Sequence, residues 1–232
     1  VEALRVVSAA SPPRAERSAW PGQETSERMP ERLLGAFTSW GAPNRLPVGS
    51  IMGCCVANAS LGLAFAWEGA LRENGRSAEV NLLLNRAGRL LDVDSYLPYE
   101  GKVVLRNKSA ERVAVRIPSW VSRRELSADV SGKETALDWI GNRVVFGGLQ
   151  PADVVTLRFP IRETTARYTV NAQTDKEKAY TCTFRGSTLV DISPRDESPT
   201  AYPLYRRGHL RSDTAPMKQV DRFVPDRVIT RW

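Results

Sequence analysis

Cys54 and Cys55 are adjacent, and they stand just ahead of a strongly apolar stretch, Ala59 to Leu71. Only one other cysteine, Cys182, occurs in the 232 residues. A thiolate is both a nucleophile and a soft metal ligand, so the pair is the first candidate for chemistry. At a helix start, backbone N–H groups and the helix dipole favour the anion. On spacing alone, however, packing is the stronger reading, because free cysteine is among the most buried residue types. Neighbouring cysteines bridge only through a strained ring, so reduced thiols are expected. A tetrahedral zinc site needs two more donors than the pair supplies. Cys-x-x-Cys pairs are absent, and Cys182 and the sole histidine, His209, lie far along the chain.

Other candidates are weaker. Asp92 and Asp94 flank Val93 in an expected strand and so share a face, with Glu100 in a turn shortly after. Paired carboxylates suit glycosidic bond cleavage, but Asp-x-Asp on a solvated strand face is common. Tyr96, Tyr99 and Trp120 read as sugar-stacking platforms or as core edges, and both readings stay open. His209 has no serine or cysteine motif beside it, and neither a Gly-x-Ser-x-Gly elbow nor a P-loop is present.

These residues must be held by a folded chain. Hydrophobic residues make up 42% and charged residues 25%, as in an ordinary globular protein. The net charge is 33 − 26 = +7, spread as arginines along the chain. With no RNP-like, helix-turn-helix or zinc-finger pattern, no nucleic-acid partner is expected. No run approaches the roughly 18 apolar residues of a membrane span, so no membrane partner is expected either. Val1 to Ala10 is too short and polar for a complete signal peptide. The chain begins with Val rather than Met, so a piece of something longer is expected, soluble and of undetermined compartment.

Residues 1–26 read as a loosely ordered leader, broken by Ser11-Pro12-Pro13 and Trp20-Pro21-Gly22. Pro30 opens a helix over Glu31 to Trp40, with Leu33, Leu34, Phe37 and Trp40 on one face. A second helix is expected over Val56 to Leu71. It is apolar nearly all round until Glu68, so it should be buried among other helices, with Asn74-Gly75 as its stop. Two helices alone cannot bury that much apolar surface.

From residue 78 the period changes to two. Val80, Leu82 and Leu84 alternate, then Val103 and Leu105, Val113, Val115 and Ile117, Val144 to Phe146, and Val155, Leu157 and Phe159. Turn signals between them predict an antiparallel sandwich. A second β-rich stretch runs from about 165 to 193. The tail carries Tyr202, Leu204, Tyr205, Phe223 and Trp232 and reads as a strap packed on a sandwich. The expected organisation is a leader over 1–26, helices over 27–76, a β-sandwich over 77–164, and a β-rich segment with strap over 165–232.

Several segments together resemble glycoside hydrolase family 127, the beta-L-arabinofuranosidase-like proteins. Met52-Gly53-Cys54-Cys55-Val56-Ala57-Asn58 is similar to the family's Cys-Cys segment. Val80 to Asn85, Tyr96 to Val103, Val115 to Trp120 and Leu157 to Ile161 follow in order and resemble its β-sandwich segments. Tyr202-Pro203-Leu204-Tyr205-Arg206 is similar to a C-terminal segment of one bacterial branch. The resemblance covers about residues 27 to 232.

The resemblance implies a mainly β fold: antiparallel β-sandwich domains preceded by a few helices left from an (α/α) barrel. It implies a glycoside hydrolase acting on an oligosaccharide or polysaccharide that contains arabinose or a related sugar. Cys54 would be the nucleophile, Cys54 and Cys55 would both touch a zinc ion, and the N-terminal barrel of the same protein would be the missing partner. The thiolate would attack the anomeric carbon, a carboxylic acid would protonate the leaving oxygen, and water would release the sugar with retention. The family's Glu-x-Cys zinc ligands do not occur before Cys54, and its acid/base glutamate would precede Val1. The isolated chain is therefore expected to be inactive. Two other readings remain: a non-catalytic sandwich that binds carbohydrate or supports a barrel, and a basic module for an anionic partner.

Overall fold

The computed structural model describes residues 45–47, 53–195, 201–203, 207–222 and 224, with backbone alone for 45–47, 53–57 and 201–203. The expected leader and the helix over Glu31 to Trp40 lie outside the described residues. The rest falls into two compact units. One holds Phe65–Arg162 with the segment from Ser212; the other holds Glu163–Arg211 with the segment up to Ala64.

The first unit is the sandwich. One sheet contains β2 (Leu71–Asn74), β3 (Ser77–Val80), β7 (Arg112–Arg116), β10 (Asp138–Ile140) and β11 (Arg143–Gly147), in the order β10-β11-β7-β3-β2. The other contains β4 (Arg86–Ala87), β5 (Leu91–Ser95), β6 (Lys102–Asn107), β8 (Ser127–Val130), β9 (Lys133–Glu134) and β12 (Val154–Arg158), in the order β4-β5-β6-β12-β8-β9. All neighbours are antiparallel except β3 and β7. That parallel pair, Ser77↔Arg112 to Val80↔Val115, forms because the chain leaves for the second sheet at β4 and returns at β7.

Period-two patterning sets which side chains enter the core. Val113 and Val115 on β7, Val144 and Phe146 on β11, and Val155 and Leu157 on β12 are buried in one cluster with Leu91, Val93, Val103 and Leu105. A one-residue slip in any strand would turn this set to solvent, so burial specifies the register.

The helix, α1, spans Gly53–Ala70 and passes directly into β2. Asn74-Gly75 is therefore not its stop. It makes the β2–β3 hairpin turn, with Gly75 at φ +56°. Leu71 begins the strand because its side chain enters the core. Among the described residues α1 is not buried: Leu61, Leu63, Phe65 and Trp67 are 42–61% exposed. No described helix is long and apolar enough to cross a membrane.

The expected strand through Leu84 ends at Val80. Asn81 is drawn instead to the end of α1, and Leu82 and Leu84 are exposed. The strap is visible over 212–222. Ala215 N donates to Glu100 Oε1 at 3.1 Å, and Arg222 donates to Val93 O at 3.1 Å and Asp94 Oδ1 at 2.8 Å. Leu204, Tyr205, Phe223 and Trp232 lie outside the described residues.

The second unit contains β13 (Glu163–Val170), β14 (Lys178–Arg185) and β15 (Thr188–Ser193) as an antiparallel sheet. Tyr180, Cys182 and Ile192 form its small core, with Phe184 and Leu189 against it. Here β1 (Arg45–Pro47) also pairs with β16 (Ala201–Pro203), Leu46 opposite Tyr202. A 3₁₀ turn follows at Gly208–Arg211.

Acid should weaken the sandwich in a defined window. Arg158 Nη1 and Gly132 N donate to the carboxylate of Asp129 and hold it below the usual carboxyl range. The Arg162 guanidinium does the same for Glu125, at 2.5 and 2.9 Å. A folded-state value below the unfolded one contributes stability above the unfolded value and loses it as pH falls through the folded one. The Asp129→Asn protein is expected to be less stable at neutral pH by about 1 kcal/mol or less, because Arg158 is solvent-exposed. The difference should begin to shrink as pH falls to about 4 and vanish only below the lowered folded-state value. Urea unfolding at pH 7 and pH 3 checks this; an equal difference at both would remove the assignment.

Candidate functional site

The cysteine pair occupies the first turn of α1, which carries no acidic residue. The first four N–H groups of a helix have no intrahelical partner, and together with the dipole they favour an anion there. Cys54 and Cys55 are consecutive positions on the helix backbone. Their side-chain surroundings lie outside the described residues.

The other end of α1 is described fully. Asn81 Nδ2 donates to Gly69 O at 2.9 Å, and Asn81 N donates to Ala70 O at 2.8 Å. Arg143 Nη2 donates to Asn81 Oδ1 at 2.6 Å. The Arg86 guanidinium stacks over the Trp67 ring at 4.5 Å. Sequence reading passed over Asn81 and Arg143, since one asparagine after a strand and one arginine opening another carry no local signature.

Two thiols are donors of the kind zinc prefers. Among the described residues, though, no group of three His, Cys, Asp or Glu could hold a metal ion. Cys182 is buried in the three-stranded sheet, and burial pushes its thiol up, away from the thiolate a metal needs. His209 sits in the 3₁₀ turn with Nδ1 buried and unpartnered among the described residues. The described residues do not complete a zinc site.

The carboxylate candidates are engaged elsewhere. Asp92 and Asp94 do share the outer face of the six-stranded sheet. Asp92 Oδ1 accepts from Lys108 Nζ at 2.8 Å and Gly88 N at 3.1 Å. Asp94 accepts from Arg106 Nε at 2.9 Å and from Arg222. Glu100 accepts from Ala215 N. Each carboxylate therefore secures a loop, a neighbouring strand or the strap. Trp120 packs edge-on against Phe159 at 5.6 Å and 71°, beside the core. Lys102 Nζ lies 3.8 Å over the Tyr96 ring. Trp120 is thus a core edge, and the face of Tyr96 is covered by a cation.

Solved structures resemble this chain. A GH127 beta-arabinofuranosidase matches with a TM-score of 0.51 at 17% identity, over 67% of this chain and 29% of that one. A GH127 beta-L-arabinofuranosidase from Geobacillus stearothermophilus T6 matches with a TM-score of 0.42 at 17% identity, over 59% of this chain and 23% of that one. A structure described as a glycoside hydrolase matches with a TM-score of 0.46 at 17% identity, over 79% and 31%. No protein-family model and no curated protein matches the chain. At this identity the likeness is one of fold. The chain spans less than a third of the length of each of these proteins.

Proposed function

We propose that the chain is the C-terminal portion of a retaining glycoside hydrolase that cleaves arabinofuranosides or related glycans, with Cys54 as nucleophile. One observation carries the reading. A cysteine pair opens a helix that runs directly into a sandwich, and the fold is like that of a GH127 beta-arabinofuranosidase.

In this reading the helix start stabilises the Cys54 thiolate. The thiolate attacks the anomeric carbon, and the glycosidic oxygen leaves with a proton from a carboxylic acid. Water, deprotonated by the resulting carboxylate, then displaces sulfur from the same carbon. Two inversions give net retention. Asp92, Asp94 and Glu100 are committed to ion pairs and backbone contacts, so the acid is assigned outside the described residues. Zinc held by Cys54 and Cys55, with further donors from outside the described residues, would add to the acidity of the thiol. As the resemblance implies, the isolated chain is expected to be inactive.

The test uses the protein as its genome encodes it, including whatever precedes Val1. It should hydrolyse an aryl beta-L-arabinofuranoside. Iodoacetamide should abolish that activity in step with carbamidomethylation of Cys54, located by peptide mass, while buried Cys182 stays unlabelled. Activity that survives full labelling of Cys54 overturns the nucleophile. No hydrolysis of any arabinofuranoside overturns the substrate class.

A further inference from the structure

We propose that β13 is a docking edge for a second copy of this chain, pairing antiparallel with the other copy's β13 about a two-fold axis.

Among the described residues β13 has a neighbour on one edge only, in the order β13-β14-β15. It is eight residues long, Glu163–Val170, and all but Ala166 are exposed. Thr164, Thr165, Tyr168, Thr169 and Val170 are of the types that strands favour. The outer edge of such a strand offers a row of backbone donors and acceptors that template a further strand.

The register with β14 sorts the side chains. Thr164, Ala166 and Tyr168 stand opposite Phe184, Cys182 and Tyr180, so they share the face of the small core. On that face Tyr168 is 52% and Val170 37% exposed. Glu163, Thr165, Arg167 and Thr169 lie on the other face. An axis perpendicular to the sheet would join two such sheets into one of six strands, with both apolar faces on the same side.

Charge selects a second copy and fixes the register. Charged residues on an edge strand commonly repel a further strand. Here the two charges are opposite in sign, with Thr165 midway between Glu163 and Arg167. In a two-fold antiparallel pair one residue must face its own copy. With Thr165 at that position, Glu163 of each copy faces Arg167 of the other, and Thr165 faces Thr165. Opposite charges and paired threonines are both favourable across strands. Tyr168 then reaches Thr164 of the other copy on the diagonal. Centring on Ala166 would leave both charges facing threonines, and centring on Arg167 would set arginine against arginine. Arg211 Nε donates to Glu163 Oε1 at 2.8 Å, and the Glu163 side chain keeps 42% exposure beside it. Edge pairing is small against the roughly 1,200–2,000 Å² of a standard interface, so the dimer is expected to be reversible.

Sedimentation of the protein as encoded should show a monomer–dimer equilibrium. Glu163→Arg and Arg167→Glu should each weaken it by about tenfold, because two attractive pairs become two repulsive ones. The double variant should return to within about threefold of wild type. Thr165→Cys should cross-link to its own copy on oxidation, since facing Cα atoms lie about 4.5–5.5 Å apart. Thr169→Cys, on the same face, should not; peptide mass locates the link. A monomer at every concentration, or charge reversals that fail to rescue one another, overturns the interface. Cross-linking through Thr169→Cys in place of Thr165→Cys overturns it as well.

Discussion

The Cys54→Ser protein is expected to lose kcat on the order of 10³-fold or more, while Cys182→Ala keeps it within twofold. The asymmetry follows from acidity and place. A thiol titrates near about 8.5, and a helix N-terminus contributes about 1 kcal/mol to an anion, with more in partly buried geometries. About one pKa unit of lowering makes a thiolate abundant near neutral pH. A serine hydroxyl, starting far higher, gains the same increment and stays neutral. Cys182 lies in the core of the three-stranded sheet, where burial raises its thiol and keeps it from reacting. Initial rates on an aryl arabinofuranoside decide the matter. A Cys54→Ser protein that retains more than a tenth of wild-type kcat would exclude covalent catalysis by this residue.

Gly101→Ala is expected to cost roughly 4 kcal/mol or more, a large part of a domain's stability. A β-carbon at Gly101 would stand 1.6 Å from Phe159 O and 2.8 Å from Phe159 C. Both are backbone atoms, so no rotamer change relieves the clash. The approach cannot easily widen, because Phe159 N donates to Gly101 O at 2.9 Å and Phe159 lies in the core against Trp120. The turn before it is also tied, with Tyr99 N and Glu100 N both donating to Tyr96 O at 3.0 Å. A thermal midpoint about 10 °C or more below wild type is expected for a chain of this size. A drop under about 3 °C would show that the two backbones part without consequence.

The β regions were largely legible before the structure. Val113, Val115 and Ile117, and Val155, Leu157 and Phe159, repeat at period two, and all six are buried. Alternation alone specifies which face of a strand is apolar, so the core followed from residue type. The end of α1 was not legible. Asn74-Gly75 is a good helix stop in isolation and also a good hairpin turn. Leu71 resolved it by entering the sandwich core, a contact with residues far along the chain. Trp120 was open between sugar platform and core edge until Phe159 was placed beside it.

The site divides along the same line. Residue types alone marked Cys54 and Cys55 as nucleophile and ligand candidates, since two thiols before an apolar helix are a local feature. Residue types also put Asp92 and Asp94 on one face. Only the tertiary structure decided that both carboxylates are spent, because Lys108, Arg106 and Arg222 reach them from 12 to 128 residues away. It alone also revealed Asn81, whose partner Arg143 is 62 residues distant. Acidity and periodicity are written in neighbouring residues. Which charge meets which partner depends on how the sheets close, and no local pattern encodes that.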